Sequence, residues 1–503
     1  MDTLGDQALK RITKGASFLF IGTLAGQAFE FLARTLMARF LGADRFGLLS
    51  LGWGVIVTVS IFARLGMGRA LPRFISFYRE DPSKVKGTIV SGLTIITPLT
   101  LILTAGVFLT ARPVAVALFQ KPDLEPVLRV LSIAVFFYTF VNVMLNATLG
   151  FEDAKYAAIV RNIQKALILL AFLVLFALRG SELLVAANAY NAGIAISCVL
   201  AGYFLWRFYR RVESSEAVPM SRELLAFSLP LAIYPFFDTG VEWGESFILG
   251  RYGSSAEVGI YTTAMLVVTG FRQIQRSFIE IYIPVCSGML GRENTLGLKQ
   301  LYQVVTKWVS SLAWPLAILL IIFARPILST VFGTQYAAGG SALQILIMGF
   351  LTSAVAGPAG VTILAAGRTR WTLFSRGVTA LINVGLSFWL VPIYGIVGAA
   401  LATSAAIGVV SLLELTAAYY FVKVHPFDWQ RLKPVLLSTL ILTAVSLGIR
   451  FAVEVTGIVL LVVVTGSLLT LYALSFWVSG GIQDEEQRVW VALKRRVKEM
   501  VAR

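Results

Sequence analysis

Histidine and cysteine are almost missing from this chain: its 503 residues hold one His and two Cys. A zinc centre needs several such ligands at close spacing. His425, in the short loop His425-Pro426-Phe427, has none beside it. Cys198 and Cys286 lie in or beside apolar stretches, cannot be argued to pair, and read as packing residues. Charge is scarce as well, at 14%, against about a quarter in an ordinary globular chain. No Walker motif, zinc spacing or nucleophile elbow occurs. The GxGxxG-like fragments sit inside apolar runs with no strand before them, so they imply no nucleotide loop. A soluble enzyme, a metal site and a bound cofactor are not expected.

What the chain has instead is apolar residue, 57% of the whole. Leu183–Phe204, Val309–Phe323, Val378–Pro392 and Ile458–Val478 are long and nearly uncharged, as a span of about 20 residues through hydrocarbon requires. The pattern predicts an all-α integral membrane protein of about fourteen transmembrane helices. They cover 15–40, 46–68, 86–111, 124–149, 156–178, 183–206, 224–250, 256–279, 304–324, 340–365, 371–393, 395–421, 432–453 and 457–478. Met1–Lys14 is polar and basic, and the apolar stretch after it is too long for a signal-peptide core, so no cleaved leader is expected.

Basic residues orient these spans. With both termini cytoplasmic, most of the 43 Lys and Arg collect on the cytoplasmic side. Only Arg39, Arg45, Arg112, Lys121, Arg129, Arg179, Arg251, Arg325 and Arg450 fall opposite, while Arg34 and Lys165 lie deep in spans. The net charge of +16 therefore lies along one membrane face and needs anionic lipid headgroups, not nucleic acid, as its partner. The tail Asp484–Arg503 spaces Val489, Leu493, Val497 and Met500 at helical intervals among Lys and Arg, which predicts a surface amphipathic helix.

The chain also repeats itself. At an offset of 212, Ala38-Arg39-Phe40 falls on Gly250-Arg251-Tyr252, Gly47–Ser50 on Gly259–Thr262, Glu30 on Glu242 and Arg64 on Arg276. At 215, Lys155, Tyr156 and Arg161 fall on Arg370, Trp371 and Arg376. An even number of spans separates the copies, which implies parallel repeats, an architecture of alternating-access transporters. The expected divisions are 1–213, 214–424 and a remainder, 425–503, holding two extra spans and the tail.

Three blocks carry a family resemblance: Leu36–Ser50 (LMARFLGADRFGLLS), Phe227–Pro230 with Trp243–Ala264, and Val391–Thr403 (VPIYGIVGAALAT). They resemble the polysaccharide-transporter, or oligosaccharide flippase, branch of the multidrug/oligosaccharidyl-lipid/polysaccharide superfamily. The resemblance runs through roughly residues 10–425 and weakens in the last two spans. It implies a V-shaped transporter that moves a lipid-linked oligosaccharide across the cytoplasmic membrane. It also implies a central cationic cavity and a groove lined by the helices at 432–453 and 457–478. Many members carry Asp on the seventh helix where this chain has Glu245.

A charge at mid-bilayer costs about 2.5–3.5 kcal/mol on the mildest scale, so each intramembrane charge needs a partner or a wet cavity. Glu30 and Arg34 share a face of the first helix, and Asp238, Glu242 and Glu245 cluster on the seventh. Arg272, Arg276 and Glu280 stripe the eighth, Arg161 and Lys165 the fifth, with Asn142, Asn146, Asn188 and Asn191 adding polar faces. Arg34, Arg64, Lys165, Arg272 and Arg276 are the expected substrate cations, because guanidinium forks match phosphate oxygens. Glu30, Asp238, Glu242 and Glu245 are expected charge partners or sites for a coupling H+ or Na+. Mutual neutralisation, with Arg64 and Arg276 snorkelling, is the competing reading. A monomeric flippase is expected. A multidrug antiporter would not need the two extra helices. A membrane glycosyltransferase commonly carries a large outer domain, and the longest outer loop here, about Arg112–Asp123, is too short to fold alone.

Overall fold

The computed structural model describes residues 3–152, 154–212, 216–232 and 234–482; the side chains of 3–21, 23, 24, 154, 234–238, 241, 242 and 281 lie outside the description. The expected tail helix at 484–503 falls outside the described residues. Every element among them is helical, as hydrocarbon demands, since a helix satisfies its own backbone where water cannot. In order they are α1 (Thr3–Arg64), α2 (Met67–Phe77), α3 (Pro82–Leu109), the short α4 (Ala111–Pro113), α5 (Leu124–Leu149), α6 (Ala154–Arg179) and α7 (Leu183–Arg211). Then follow α8 (Ser221–Leu231), α9 (Tyr234–Tyr252), α10 (Ser255–Gly291), α11 (Thr295–Ile322) and α12 (Ala324–Val331). Last come α13 (Gly340–Ala356), α14 (Ala359–Ala365), α15 (Thr369–Ala417), α16 (Trp429–Ala452) and α17 (Ile458–Val478). Helix starts fall where the apolar runs begin. Asp81 caps α3 by accepting from the Lys84 N–H, with Pro82 in the first turn, and Asp428 caps α16 through the Gln430 and Arg431 N–H groups.

Ten stretches among the described residues are long and apolar enough to cross a membrane. Two of them, Ala25–Phe77 and Thr369–Val422, run 53 and 54 residues, more than twice the length of one crossing. Each breaks at a glycine: Gly42 (φ 81°, ψ 169°) in α1 and Gly395 (φ 54°, ψ −128°) in α15. The loop expected at 41–45 is thus reduced to one glycine, and the break expected at 394 falls on Gly395, the first residue of the span expected at 395–421; both glycines take backbone regions closed to most side chains. The span expected at 224–250 comes as two pieces, α8 and α9. Gly357-Pro358 ends α13, whereas Pro98 and Pro315 sit inside α3 and α11 without ending them.

The helices group into two compact units, Met1–Thr262 with Val391–Ile396, and Thr263–Leu390 with Val397–Arg503. In the first, α7 packs between α5 and α6, and α1 lies against both. Trp53 of α1 stacks on Tyr190 of α7 (centroids 4.6 Å apart) and meets the edge of Tyr138 of α5 (5.4 Å). In the second, α11 packs on α13 and α16, and α17 on α16. Leu319, Phe323, Leu442, Leu461, Leu468 and Tyr472 form its apolar cluster, which fastens the last two helices to α11. Where α13 ends, the Tyr302 hydroxyl donates to the Ala356 carbonyl at 2.6 Å, occupying an acceptor that the break would leave bare in lipid.

Candidate functional site

Residues four apart on a helix share a face. On α1 that places Glu30 one turn before Arg34, and on α6 it places Arg161 one turn before Lys165. Packing of α1 on α6 brings the two faces together. Glu30 Oε2 stands 2.9 Å from Lys165 Nζ, and Glu30 Oε1 stands 3.6 Å from Arg34 Nη2. The first is a charge-assisted hydrogen bond. The second is an ion pair beyond hydrogen-bond length. Glu30 is therefore held mainly by Lys165, a helix away, and only loosely by the Arg34 of its own helix.

One carboxylate between two cations leaves the group with an excess positive charge. All three side chains are partly buried, at 23–34% exposure. Arg34 also hydrogen-bonds with the Tyr190 hydroxyl and lines a small pocket. Ser50 and Trp53 of the second half of α1, Tyr190 of α7, Trp243 of α9 and Thr262 of α10 supply its wall. With Phe46 and Leu49, which also line it, the pocket combines an arginine, three hydroxyls and four aromatic rings, all within the first unit.

The other expected site residues lie apart from this group. Arg64, half-buried at the end of α1, donates through Nε to the Ser60 carbonyl at 3.0 Å, its guanidinium 5.8 Å from the Tyr138 ring centre. Glu245 is buried on α9, with 2% exposure. Asp238 and Glu242 lie on the same helix, but their side chains are outside the described residues. Arg272, Arg276 and Glu280 run along one exposed face of α10 in the second unit, with Arg272 4.8 Å from the Phe350 ring centre. Among the described residues no three His, Cys, Asp or Glu side chains are grouped to hold a metal.

The asparagines divide. Asn146 accepts from Arg161 Nη2 at 3.0 Å and so belongs to a charged face. Asn188 and Asn191 donate instead to the Leu184 and Val130 carbonyls, at 2.9 and 2.7 Å, and tie backbone. Tyr190, the neighbour of Asn191, is the residue that reaches Arg34. An aromatic in an apolar run carries no periodic signal of its own, so nothing in the pattern marked it.

The model of the family described as polysaccharide biosynthesis protein matches residues 12–289. The chain is 22% identical over 466 residues to a probable low-salt glycan biosynthesis flippase, Agl15, of Haloferax volcanii, covering 88% of this chain and 90% of that one. Its fold is similar to that of the lipid II flippase MurJ in an inward closed conformation, with a TM-score of 0.75, 15% identity, and coverage of 92% and 98%. It is also similar to that of an inward-facing multidrug resistance MATE family transporter of the MOP superfamily, with a TM-score of 0.64, 17% identity, and coverage of 79% and 94%.

Proposed function

This chain belongs to the polysaccharide biosynthesis protein family, and on that premise we propose that it is a flippase for a polyprenyl-phosphate-linked oligosaccharide. It is a multi-pass membrane protein and a transporter by kinship. The direction is from the cytoplasmic to the outer leaflet of the cell membrane, with both termini cytoplasmic. The observation that carries this reading is the Glu30 carboxylate shared between Lys165 and Arg34 beside the pocket.

Moving phosphate through hydrocarbon uncompensated is prohibitive. A site of two cations and one carboxylate supports an exchange. When substrate arrives, its phosphate takes the cations that Glu30 held, and Glu30 takes them back on release. Lys165 serves as a point charge, and Arg34 as a fork that matches phosphate oxygens in pairs. Arg64, Arg272 and Arg276 are proposed as further substrate cations. Asp238, Glu242 and Glu245 are proposed as charge partners or as sites for a coupling H+ or Na+. The protein works as a monomer by alternating access between lobes 1–213 and 214–424, with 425–503 accommodating the lipid tail. That α16 and α17 fasten to α11 favours this reading over a twelve-helix drug antiporter of the same fold.

The test is complementation of a strain lacking its own flippase, read as extracellular glycan. Restoration by the wild-type chain supports the reading. A well-expressed, membrane-inserted chain that never restores glycan export for any flippase-deficient host would refute it.

A further inference from the structure

Past its break at Gly42, α1 meets the start of α10, the Ala43 carbonyl lying against Gly259 and the Ser255 carbonyl against Gly47. Each helix brings a carboxylate to this contact. Asp44 follows Ala43, and Glu257 stands between Ser255 and Gly259. Two like charges at the ends of packed helices push them apart unless a cation stands near. That cation is Lys121, from the segment between α4 and α5. Its Nζ donates to the Gly253 carbonyl, at the turn from α9 to α10, at 2.7 Å. Both carboxylates act on its charge.

The lysine and the glutamate are each held in place. Val114–Leu118 winds as one wide π-type turn, and the Lys121 N–H returns to the Ala115 carbonyl at 2.8 Å. Phe119, 2% exposed, anchors this segment on α9, with its ring 5.9 Å from that of Phe247 and its edge against Gly250. Glu257 Oε2 accepts from the Ser254 N–H at 2.7 Å, and the Glu257 N–H donates to Ser254 Oγ at 3.1 Å. This reciprocal pair is a capping box that opens α10. The other Glu257 oxygen faces Gly395, where a Cβ would come within 2.6 Å of it. The break of α15 is thus seated on the same turn, and Val391–Ile396 groups with the first unit.

We infer that Lys121 is an outer latch, which holds the ends of α1 and α10 closed through the Gly253 carbonyl and through its charge beside Asp44 and Glu257. The inference rests on the transporter reading and its proposed orientation, which puts these residues on the outer side. It adds a gating residue outside the substrate site. One part-exposed charged hydrogen bond shifts a population by several-fold to about tenfold. That holds a gate shut and still lets it open in every cycle.

The test places Ser50→Cys in the pocket wall of a full chain carrying Cys198→Ser and Cys286→Ser. A membrane-impermeant maleimide is added outside intact cells, and inverted vesicles report labelling from the other side. Lys121→Ala should raise the outside labelling rate about three- to tenfold. Lys121→Arg, which keeps charge and donor, should stay near the parent. Lys121→Met keeps the apolar stem and stands in if the alanine variant misfolds. Adding Asp44→Asn and Glu257→Gln to Lys121→Ala should bring the rate back toward the parent's, because the like charges are gone while glutamine can still cap α10. A rate that neither Lys121→Ala nor Lys121→Met changes overturns the latch and leaves the flippase reading standing. A raised rate that neutralising the two acids does not reduce marks lost packing, and also overturns it. Labelling from the vesicle side alone in every variant overturns the latch and the proposed orientation together.

Discussion

Gly47 and Gly259 face each other across the contact between α1 and α10, each pressed against backbone of the other's helix. A Cβ on Gly47 would strike the Ser255 carbonyl, and one on Gly259 would strike the Ala43 carbonyl. Both pairings are the same pairing shifted by 212 residues, the spacing that also relates Ser50 to Thr262, two of the hydroxyls of the pocket wall. A contact that maps onto itself when its partners are exchanged is what a local two-fold produces. Gly47→Ala or Gly259→Ala should therefore force the helices apart, at about the 1–3 kcal/mol that overpacking costs. A clear drop in the thermal midpoint of the purified protein is expected, with Gly106→Ala, whose new methyl meets nothing, as the unaffected control.

The break at Gly42 gives a second stability prediction. Its φ of 81° with ψ of 169° lies in a region that is essentially glycine's alone, worth about 1–3 kcal/mol of strain to any other residue. Gly42→Ala should lower the midpoint although residue 42 is not in the pocket wall. An unchanged midpoint would mean that α1 can turn elsewhere.

Arg34→Ala is expected to abolish glycan export while the protein still reaches the membrane. Arg34→Lys should retain part of the activity, because the charge survives but the bidentate fork does not. Extracellular glycan in the complemented strain, with expression checked by blotting, is the measure. Wild-type glycan from a well-expressed Arg34→Ala protein would reduce Arg34 to a structural partner of Glu30 and Tyr190.

Glu30→Gln separates binding from turnover. Losing the carboxylate frees Lys165 from its 2.9 Å partner and removes the group that reclaims the cations on release. Farnesyl diphosphate should bind tighter, by about tenfold for the loss of one charged competitor, while export falls. Weaker binding together with lost export would instead mark Glu30 as a scaffold whose removal disorders α1 and α6.

Ending the chain after residue 425 removes α16 and α17 and uncovers Leu319 and Phe323. Lipid covers apolar side chains about as well as a helix does, so the shortened protein should fold and insert. It should no longer export glycan, because these helices are proposed to accommodate the polyprenyl chain. Full export from the truncated protein would remove that role.

Composition and hydropathy alone dictate an all-helical membrane protein, because runs such as Ile458–Val478 have no other way to satisfy their backbone in lipid. The same logic singled out Glu30, Arg34 and Lys165, since a charge inside such a run is too costly to be idle. The partner that a charge takes is a different matter. Spacing along one helix pointed from Glu30 to Arg34, but the tighter partner is Lys165, and only the packing of α1 on α6 could bring a residue 135 positions away to 2.9 Å. Tyr190, Trp53 and Trp243 entered the pocket wall in the same manner. An aromatic side chain is apolar enough to sit anywhere in a span, so its sequence position says nothing of the polar group it will meet. Glycine showed the converse: residue 42 was legible as loop and residue 395 as the start of a span, yet each is the single point where a long helix breaks, because a residue free to take a positive φ can interrupt the helix without a loop.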